Sequence, residues 1–191
     1  GVKSLTKWVK QFLDHLNLEA PVLLGNSLGG HIALVFNKLY PGVARGMVLF
    51  GSSGLYESAM GNSYPRRGDY SYIEDRVKDV FSQKQVVTKE LVDEVFSIVN
   101  DRMKAIKTLA ISKSAIRHNM AEDITKFNVP VCLVWGRQDA VTPPDVAEKF
   151  HELLPNAELN WIDHCGHAAM MEHPNEFNAI VEKWLQKIQV A

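Results

Sequence analysis

The sequence predicts an α/β fold, in which helices cover both faces of a parallel sheet and a helical segment interrupts the alternation. Near both ends of the chain, short and fully apolar segments alternate with amphipathic helical ones. Strands that are apolar on both faces are typical of parallel sheets buried between two layers of helices. From about residue 71 to 122 the pattern is helical, with no strand-like segment. These observations predict a three-layer core with an insert.

Composition limits the kinds of partner that the chain is expected to bind. The sequence has 191 residues, 46% of them hydrophobic, and a formal net charge of −1. A domain of this length can bury roughly 70% of its unfolded surface, so it needs no disulfide or metal for stability. The balanced charge does not favour nucleic acid or an anionic membrane. No apolar run approaches the roughly 20 residues of a membrane span. We therefore expect a small-molecule substrate, no nucleic acid and no membrane.

The first quarter of the chain reads as helix, strand, helix and strand. Apolar residues recur at three- and four-residue spacing from Val2 to Leu16, which predicts an amphipathic helix that Pro21 ends. The segment 21–25 is short, apolar and ends in glycine, which is typical of a buried strand. A second helix is predicted from about 27 to 40, and a second buried strand at 46–51.

The alternation breaks after residue 51 and resumes near residue 130. Residues 52–70 have loop composition, and Thr88 is a plausible N-cap for the helix that follows it. Strands are then predicted at 131–135 and 157–162, and helices at 144–154 and 174–188. The chain is thus expected to contain a core of residues 1–51 and 123–191, with residues 52–122 as a helical cap or lid insert.

The junction between the first strand and the second helix carries the motif G-x-S-x-G, as Gly25-Asn26-Ser27-Leu28-Gly29. In this setting a nucleophilic serine projects from a turn so tight that only glycine is expected two residues to either side. The helix N-terminus and the N–H of Leu28 could then stabilise a developing oxyanion. The alternative is a glycine-rich turn in which Ser27 is an N-cap.

Two further candidate positions for catalytic residues lie on loops that follow later strands. Asp139 lies on the loop after the strand at 131–135, where parallel sheets place their sites, although a turn-forming Asp is the alternative. His164 and His167 both lie on the loop after the strand at 157–162, where a solvated loop histidine is the alternative. Ser, then Asp, then His, each beyond a different strand, is the order found in α/β-hydrolases.

The sequence resembles the α/β-hydrolase superfamily, in its serine-hydrolase branch with a helical cap. The matching stretches are GNSLGG at 25–30, VWGRQD at 134–139, CGHA at 165–168 and EHP at 172–174. The resemblance covers essentially the whole chain and is weakest over the insert. It implies that Ser27 is the nucleophile, that Asp139 orients the base, and that the base is His167, because the family pattern places it two positions after Cys165. It implies no cofactor and no metal.

The resemblance leaves three functions open. The first is a carboxylesterase-type hydrolase that acts on a small acyl substrate through an acyl-enzyme. The second is a carbon–carbon bond hydrolase of ring-fission products, because Asn26 before the serine resembles the sequence of those enzymes at this position. The third is a non-enzyme, a hydrolase-like fragment that binds a ligand or partner without turnover. Ser rather than Asp at position 27 argues against dehalogenases and epoxide hydrolases.

The insert is expected to cover the pocket and to select the substrate. Tyr56, Tyr64 and Arg66 are candidate substrate contacts, although ordinary packing and a solvated basic loop are the alternatives. Cys132 and Cys165 are predicted to be buried thiols without a disulfide framework, which fits a reducing, cytoplasmic location.

The strand count departs from the family. The family sheet usually has eight strands, and this chain supplies four that match the last four, the C-terminal half of the sheet. The loop that donates the second oxyanion N–H is therefore expected to be missing. The strand at 22–24 would have an exposed apolar edge, which invites pairing. We expect a missing N-terminal segment, a second chain or a swapped copy to cover the strand from Val22 to Leu24.

Overall fold

A parallel four-stranded sheet forms the centre of the computed structural model, which describes residues 1–56 and 66–189. Its strands are β1 (Val22–Asn26), β2 (Gly46–Phe50), β3 (Val131–Gly136) and β4 (Ala157–Ile162). They lie in the order β1-β2-β3-β4, and all three pairings are parallel. The predicted α/β fold class is confirmed, and each predicted strand is present to within one residue at either end.

The helices surround the sheet and fill the segment between β2 and β3. In chain order they are α1 (Val2–His15), α2 (Leu28–Leu39), α3 (Tyr70–Lys78), α4 (Lys89–Asn100), α5 (Arg102–Ile116), α6 (Ala121–Ile124), α7 (Pro144–Leu153), α8 (Ala169–Glu172) and α9 (Pro174–Gln189). A short 3-10 turn, Lys84–Val86, lies between α3 and α4.

Alternating side chains of β2 and β3 build a core on each face of the sheet, as the period-2 geometry of a strand requires. On one face, strand residues pack with α2 and α7; this cluster includes Met47, Leu49, Leu133, Trp135, Val35 and Phe150. On the other face they pack with α9; this cluster includes Val48, Phe50, Cys132, Val134, Phe177 and Trp184. Both central strands are fully buried, which explains their uniformly apolar sequences.

The insert between β2 and β3 is helical, with a small core of its own. Ile73, Val77, Phe81 and Val92 pack together there, and Ala168, from the loop after β4, joins them. The Oγ1 of Thr88 accepts a hydrogen bond from the N–H of Leu91 at 3.2 Å, so the predicted N-cap of α4 is confirmed. The helix α6 (Ala121–Ile124) crosses the predicted domain boundary at residue 122, and the division into core and cap stays a prediction.

Strand β1 is the edge of the sheet on the side of α1. Among the described strands it pairs only with β2. The side chain of Leu24 is 51% exposed, and Trp8 and Phe12 on the outer face of α1 are also largely exposed. The expected apolar edge is therefore present in the chain.

Candidate active site

Ser27 lies at the tight turn between β1 and α2. Its φ of 50° and ψ of −115° lie outside the helical region, which is why α2 begins at Leu28 and not at the predicted residue 27. A positive φ is uncommon in a residue with a Cβ and persists only where surrounding contacts hold it. Those contacts are present: the N–H of Ser27 donates to the carbonyl of Phe50 at 3.1 Å, and its carbonyl accepts from the N–H of Ser53 at 3.1 Å.

The glycines around Ser27 have unequal roles. A Cβ on Gly25 would collide with the backbone of Gly29 and Gly30, so no side chain fits at position 25. A Cβ on Gly30 would collide with the Oγ of Ser52 and lie 2.6 Å from its Cβ. Among the described residues, nothing lies within 4 Å of a Cβ on Gly29. The described part of the chain therefore leaves room for a side chain at position 29, where only glycine was expected, and the conflict with Ser52 falls at position 30.

Asp139 lies on the loop after β3, with its side chain almost completely buried. Its Oδ1 accepts hydrogen bonds from the N–H groups of Val141 at 2.8 Å and Thr142 at 2.9 Å. Its Oδ2 accepts from the Oγ1 of Thr142 at 2.9 Å. Several donors fix a carboxylate in one orientation, so Asp139 presents its Oδ2 in a defined position.

His167 lies on the loop after β4 and is also buried. Its Nδ1 lies 2.9 Å from the Oδ2 of Asp139. This contact engages Nδ1 and leaves Nε2 as the ring nitrogen that could take a proton. His164, the competing histidine, is exposed on the same loop. The structure thus brings His167, and not His164, to Asp139.

The loop of His167 also contacts the turn that carries Ser27. The Nδ2 of Asn26 donates to the carbonyl of Phe50 at 2.9 Å and to the carbonyl of His167 at 3.2 Å. A Cβ on Gly51 would lie 2.8 Å from the Nδ1 of His167. Within the described residues no hydrogen bond joins the Oγ of Ser27 to His167. The loops after β1, β2 and β4 nevertheless meet at this edge of the sheet.

The predicted substrate contacts lie apart from this pair. Tyr56 is 56% exposed. The guanidinium of Arg66 lies over the ring of Tyr72 in α3, 5.0 Å from its centroid. Within the described residues no hydrogen bond or ring contact links Tyr56 or Arg66 to Asp139 or His167, and Tyr64 falls outside those residues. Their role in substrate binding stays a prediction.

Several contributors to the site could not be found from motifs. Thr142 supports Asp139, and Ser53 holds the carbonyl of Ser27 through its N–H. Nearby, the Nε2 of His31 lies 3.0 Å from the Nδ1 of His118. His31 is fully buried, and burial followed by the charge of His118 lowers its pKa to about 4. Apart from the i+4 position of His31 after Ser27, no sequence signal marks these contacts.

The remaining reactive groups do not resemble catalytic ones. Cys132 and Cys165 are buried free thiols, and burial raises the pKa of each to about 12. In residues 1–56 and 66–189, no group of three or more His, Cys, Asp or Glu side chains is arranged to hold a metal ion. No helix in that part of the chain combines the length and apolar character needed to cross a membrane.

Comparison with known proteins gives consistent matches. The chain is 28% identical to a 2-hydroxy-6-oxononadienedioate/2-hydroxy-6-oxononatrienedioate hydrolase of Cupriavidus pinatubonensis, over 93% of this chain and 66% of that protein. It therefore spans slightly less than two thirds of that relative's length.

Solved structures extend the comparison. MGS-MChE2, an alpha/beta hydrolase enzyme from the metagenome of lagoon sediments of Mar Chica, Morocco, matches with a TM-score of 0.76 and 46% identity, over 97% of this chain and 70% of that one. The 2-hydroxy-6-oxo-6-phenylhexa-2,4-dienoate hydrolase of a Rhodococcus strain has the same fold, with a TM-score of 0.85 and 19% identity over 97% and 70% of the two chains. The family model for the alpha/beta hydrolase fold matches residues 1–174. The chain therefore belongs to the alpha/beta hydrolase fold family.

Proposed function

We propose that the protein is a serine hydrolase that cleaves a carboxylic ester or a similar acyl substrate through an acyl-enzyme. The observation that carries the proposal is the buried pair of Asp139 and His167, 2.9 Å apart, on loops that end at the same sheet edge as the strained turn of Ser27. An orienting carboxylate, a histidine base and a serine on such a turn together supply the groups needed for acyl transfer.

In the proposed reaction, Ser27 attacks the acyl carbonyl while the Nε2 of His167 accepts its proton. Asp139 holds the imidazole in the tautomer that leaves Nε2 free, and stabilises the imidazolium that forms. The N–H of Leu28, at the start of α2, donates to the oxyanion. His167 then protonates the leaving group, and water attacks the acyl-enzyme to regenerate Ser27.

A carbon–carbon bond hydrolase with the same three residues is the second candidate. The relative from Cupriavidus pinatubonensis is named a 2-hydroxy-6-oxononadienedioate/2-hydroxy-6-oxononatrienedioate hydrolase. Asn26, which precedes the serine and bonds to the loop of His167, adds to this alternative. The two candidates differ in the bond that breaks after the same attack, so substrates distinguish them.

A fluorophosphonate probe tests the proposal in the full-length protein. We expect labelling of the wild type and of the control Ser97→Ala, which changes an exposed serine on α4. Ser27→Ala should abolish labelling and lower kcat by a factor on the order of 10⁶. Faster turnover of p-nitrophenyl esters than of a vinylogous diketone would identify an esterase, and the reverse a carbon–carbon hydrolase. A folded protein that is neither labelled nor active would favour a non-catalytic binding module.

We also propose that another polypeptide segment, either a further part of the protein or a second copy, covers the outer edge of β1. The partly exposed Leu24 and the apolar face of α1 support this, because a bare apolar edge strand promotes association. The two unpaired thiols support a reducing, cytoplasmic location.

A further inference from the structure

Glu172, at the end of α8, is a buried carboxylate outside the proposed triad. Only 7% of the residue is exposed. A buried carboxylate is costly unless hydrogen bonds compensate it, and both of its oxygens have a backbone donor. Oε1 accepts from the N–H of Gly166 at 2.7 Å, and Oε2 accepts from the N–H of Gln83 at 2.8 Å.

The two donors belong to different parts of the molecule. Gly166 directly precedes His167 on the loop after β4, whereas Gln83 lies in the insert, next to the 3-10 turn before α4. One carboxylate therefore joins the insert to the loop that carries the proposed base. Bonds from backbone N–H groups to an ionised acceptor are among the stronger hydrogen bonds in proteins.

A second contact places the insert directly against this loop. The N–H of His167 itself donates to the carbonyl of Val80 at 3.0 Å. A Cβ on Gly166 would lie 2.7 Å from the oxygen of Val80 and 2.8 Å from the nitrogen of Ser82. The absence of a side chain at Gly166 thus lets the segment 80–83 approach closely enough for these hydrogen bonds to form.

The opposite side of the loop is held by the core. The N–H of Cys165 donates to the Oε1 of Gln138 at 3.0 Å, and the N–H of Gln138 donates to the carbonyl of Cys165 at 2.9 Å. Gln138 precedes Asp139. The loop of His167 is therefore held between the Asp139 loop on one side and the insert, through Glu172, on the other.

We infer that Glu172 is a positioning residue for His167, and that its carboxylate makes the placement of this histidine depend on the docking of the insert. The effect on turnover rests on the proposed hydrolase function, whereas the bridge between the two segments does not. Loss of the bond to Gly166 would loosen the loop directly, and loss of the bond to Gln83 would weaken the contact between the loop and the insert. Small displacements of a catalytic group lower the rate strongly.

The test compares Glu172→Gln with Glu182→Gln in the full-length protein. Glutamine keeps the shape of Glu172, but its NH₂ group would face one of the two N–H donors and could not accept from it. Glu182 is an exposed residue of α9, ten residues further on, so its variant makes the same chemical change away from the loop and the insert. With a p-nitrophenyl ester, we expect Glu172→Gln to lower kcat about 10- to 100-fold and to change KM less than three-fold. Glu182→Gln should remain within two-fold of the wild type for both.

Two readouts do not depend on activity. In Glu172→Gln, amide hydrogen exchange should accelerate at least ten-fold in both segment 80–83 and segment 164–168, since a bridging carboxylate holds both. The downfield proton resonance of the Nδ1 of His167 should shift or broaden in Glu172→Gln and stay unchanged in Glu182→Gln. If the wild type has no hydrolase activity, the proposed function fails, and these readouts still test the bridge.

Three results would overturn the inference. One is faster exchange in the histidine loop alone, which would limit Glu172 to a local role. Another is an unchanged kcat and an unchanged imidazole resonance in a folded Glu172→Gln variant. The third needs no variant: the amides of Gly166 and Gln83 in the wild type would exchange as freely as those of an exposed loop.

Discussion

At the scale of single residues, the strained backbone of Ser27 is the feature that most directly links structure to chemistry. A φ of 50° in a residue with a Cβ costs free energy, on the order of 1–3 kcal/mol. Hydrogen bonds from Ser27 to Phe50 and from Ser53 to Ser27 hold this conformation at the end of β1. The strain places the serine between a strand end and a helix N-terminus, where a nucleophile is accessible and an oxyanion is stabilised.

The unequal roles of the neighbouring glycines give a stability prediction. Gly30→Ala should destabilise the protein by about 1–3 kcal/mol, because its Cβ would lie against the side chain of Ser52. Gly29→Ala, one residue earlier in the same helix, should be neutral or stabilising by up to about 1 kcal/mol, because its Cβ meets open space and alanine favours helix. Urea unfolding of both variants measures the difference, and equal losses of stability would contradict it.

The candidate residues of the site could be predicted from the sequence, but the residues that support them could not. Ser27, Asp139 and His167 could be proposed because each follows a recognisable strand and because their order is informative. The partners of Glu172 lie 6 and 89 residues away in the chain, so no local pattern relates them. The same reason explains the difference between Gly29 and Gly30: the approach of Ser52 to α2 is set by tertiary packing.

At the scale of elements, hydrophobic periodicity was sufficient to locate the strands and most helices. Buried strands such as β2 and β3 are continuous apolar runs, and the face of α9 that packs on the sheet repeats with helical spacing. Helix α5 shows the limit of this signal. Its apolar residues are spread around the helix, and Met103 and Ile106 are largely exposed, so its sequence does not indicate which face is buried.

The contact between α2 and the end of α5 gives a pH prediction. Burial lowers the pKa of His31 to about 4 and also lowers the pKa of His118, to which Lys3 and Lys38 contribute. Between pH 6.5 and 4 the unfolded chain binds a proton at His31 that the folded chain does not, so stability falls as the pH decreases through this window. When the pH falls from 7 to 5, we expect His31 to lower the free energy of unfolding by about 2 kcal/mol.

The measurement is the free energy of unfolding of His31→Gln at pH 7 and pH 5. The variant will be less stable at pH 7, because the bond to His118 is lost, but it should lose less stability on acidification than the wild type. His151→Gln, which removes an exposed imidazole from α7, is the control and should keep the wild-type pH dependence. Equal pH dependence in all three proteins would contradict the assignment.

At the scale of the whole molecule, alternation of helices and apolar strands predicted a parallel sheet and therefore the edge at which the site forms. The particular contacts by which the insert packs on this edge were not predictable. Its contacts run from the segment 80–83 to the loop of His167, between parts of the chain about 85 residues apart. They depend on backbone hydrogen bonds, which composition and periodicity do not encode.

The outer edge of β1 gives the last prediction. Within this chain Leu24 is 51% exposed, so Leu24→Lys would be close to neutral if the edge faced solvent in the complete protein. If another segment covers β1, as we propose, the substitution places a charge in an apolar contact and should cost at least about 2 kcal/mol. Gln186→Lys adds the same charge at an exposed position of α9 and should change stability by less than about 0.5 kcal/mol. Urea unfolding of the full-length variants measures both, and light scattering of the wild type distinguishes a second copy from a segment of the same chain. A Leu24→Lys variant as stable as Gln186→Lys would show that the edge is bare.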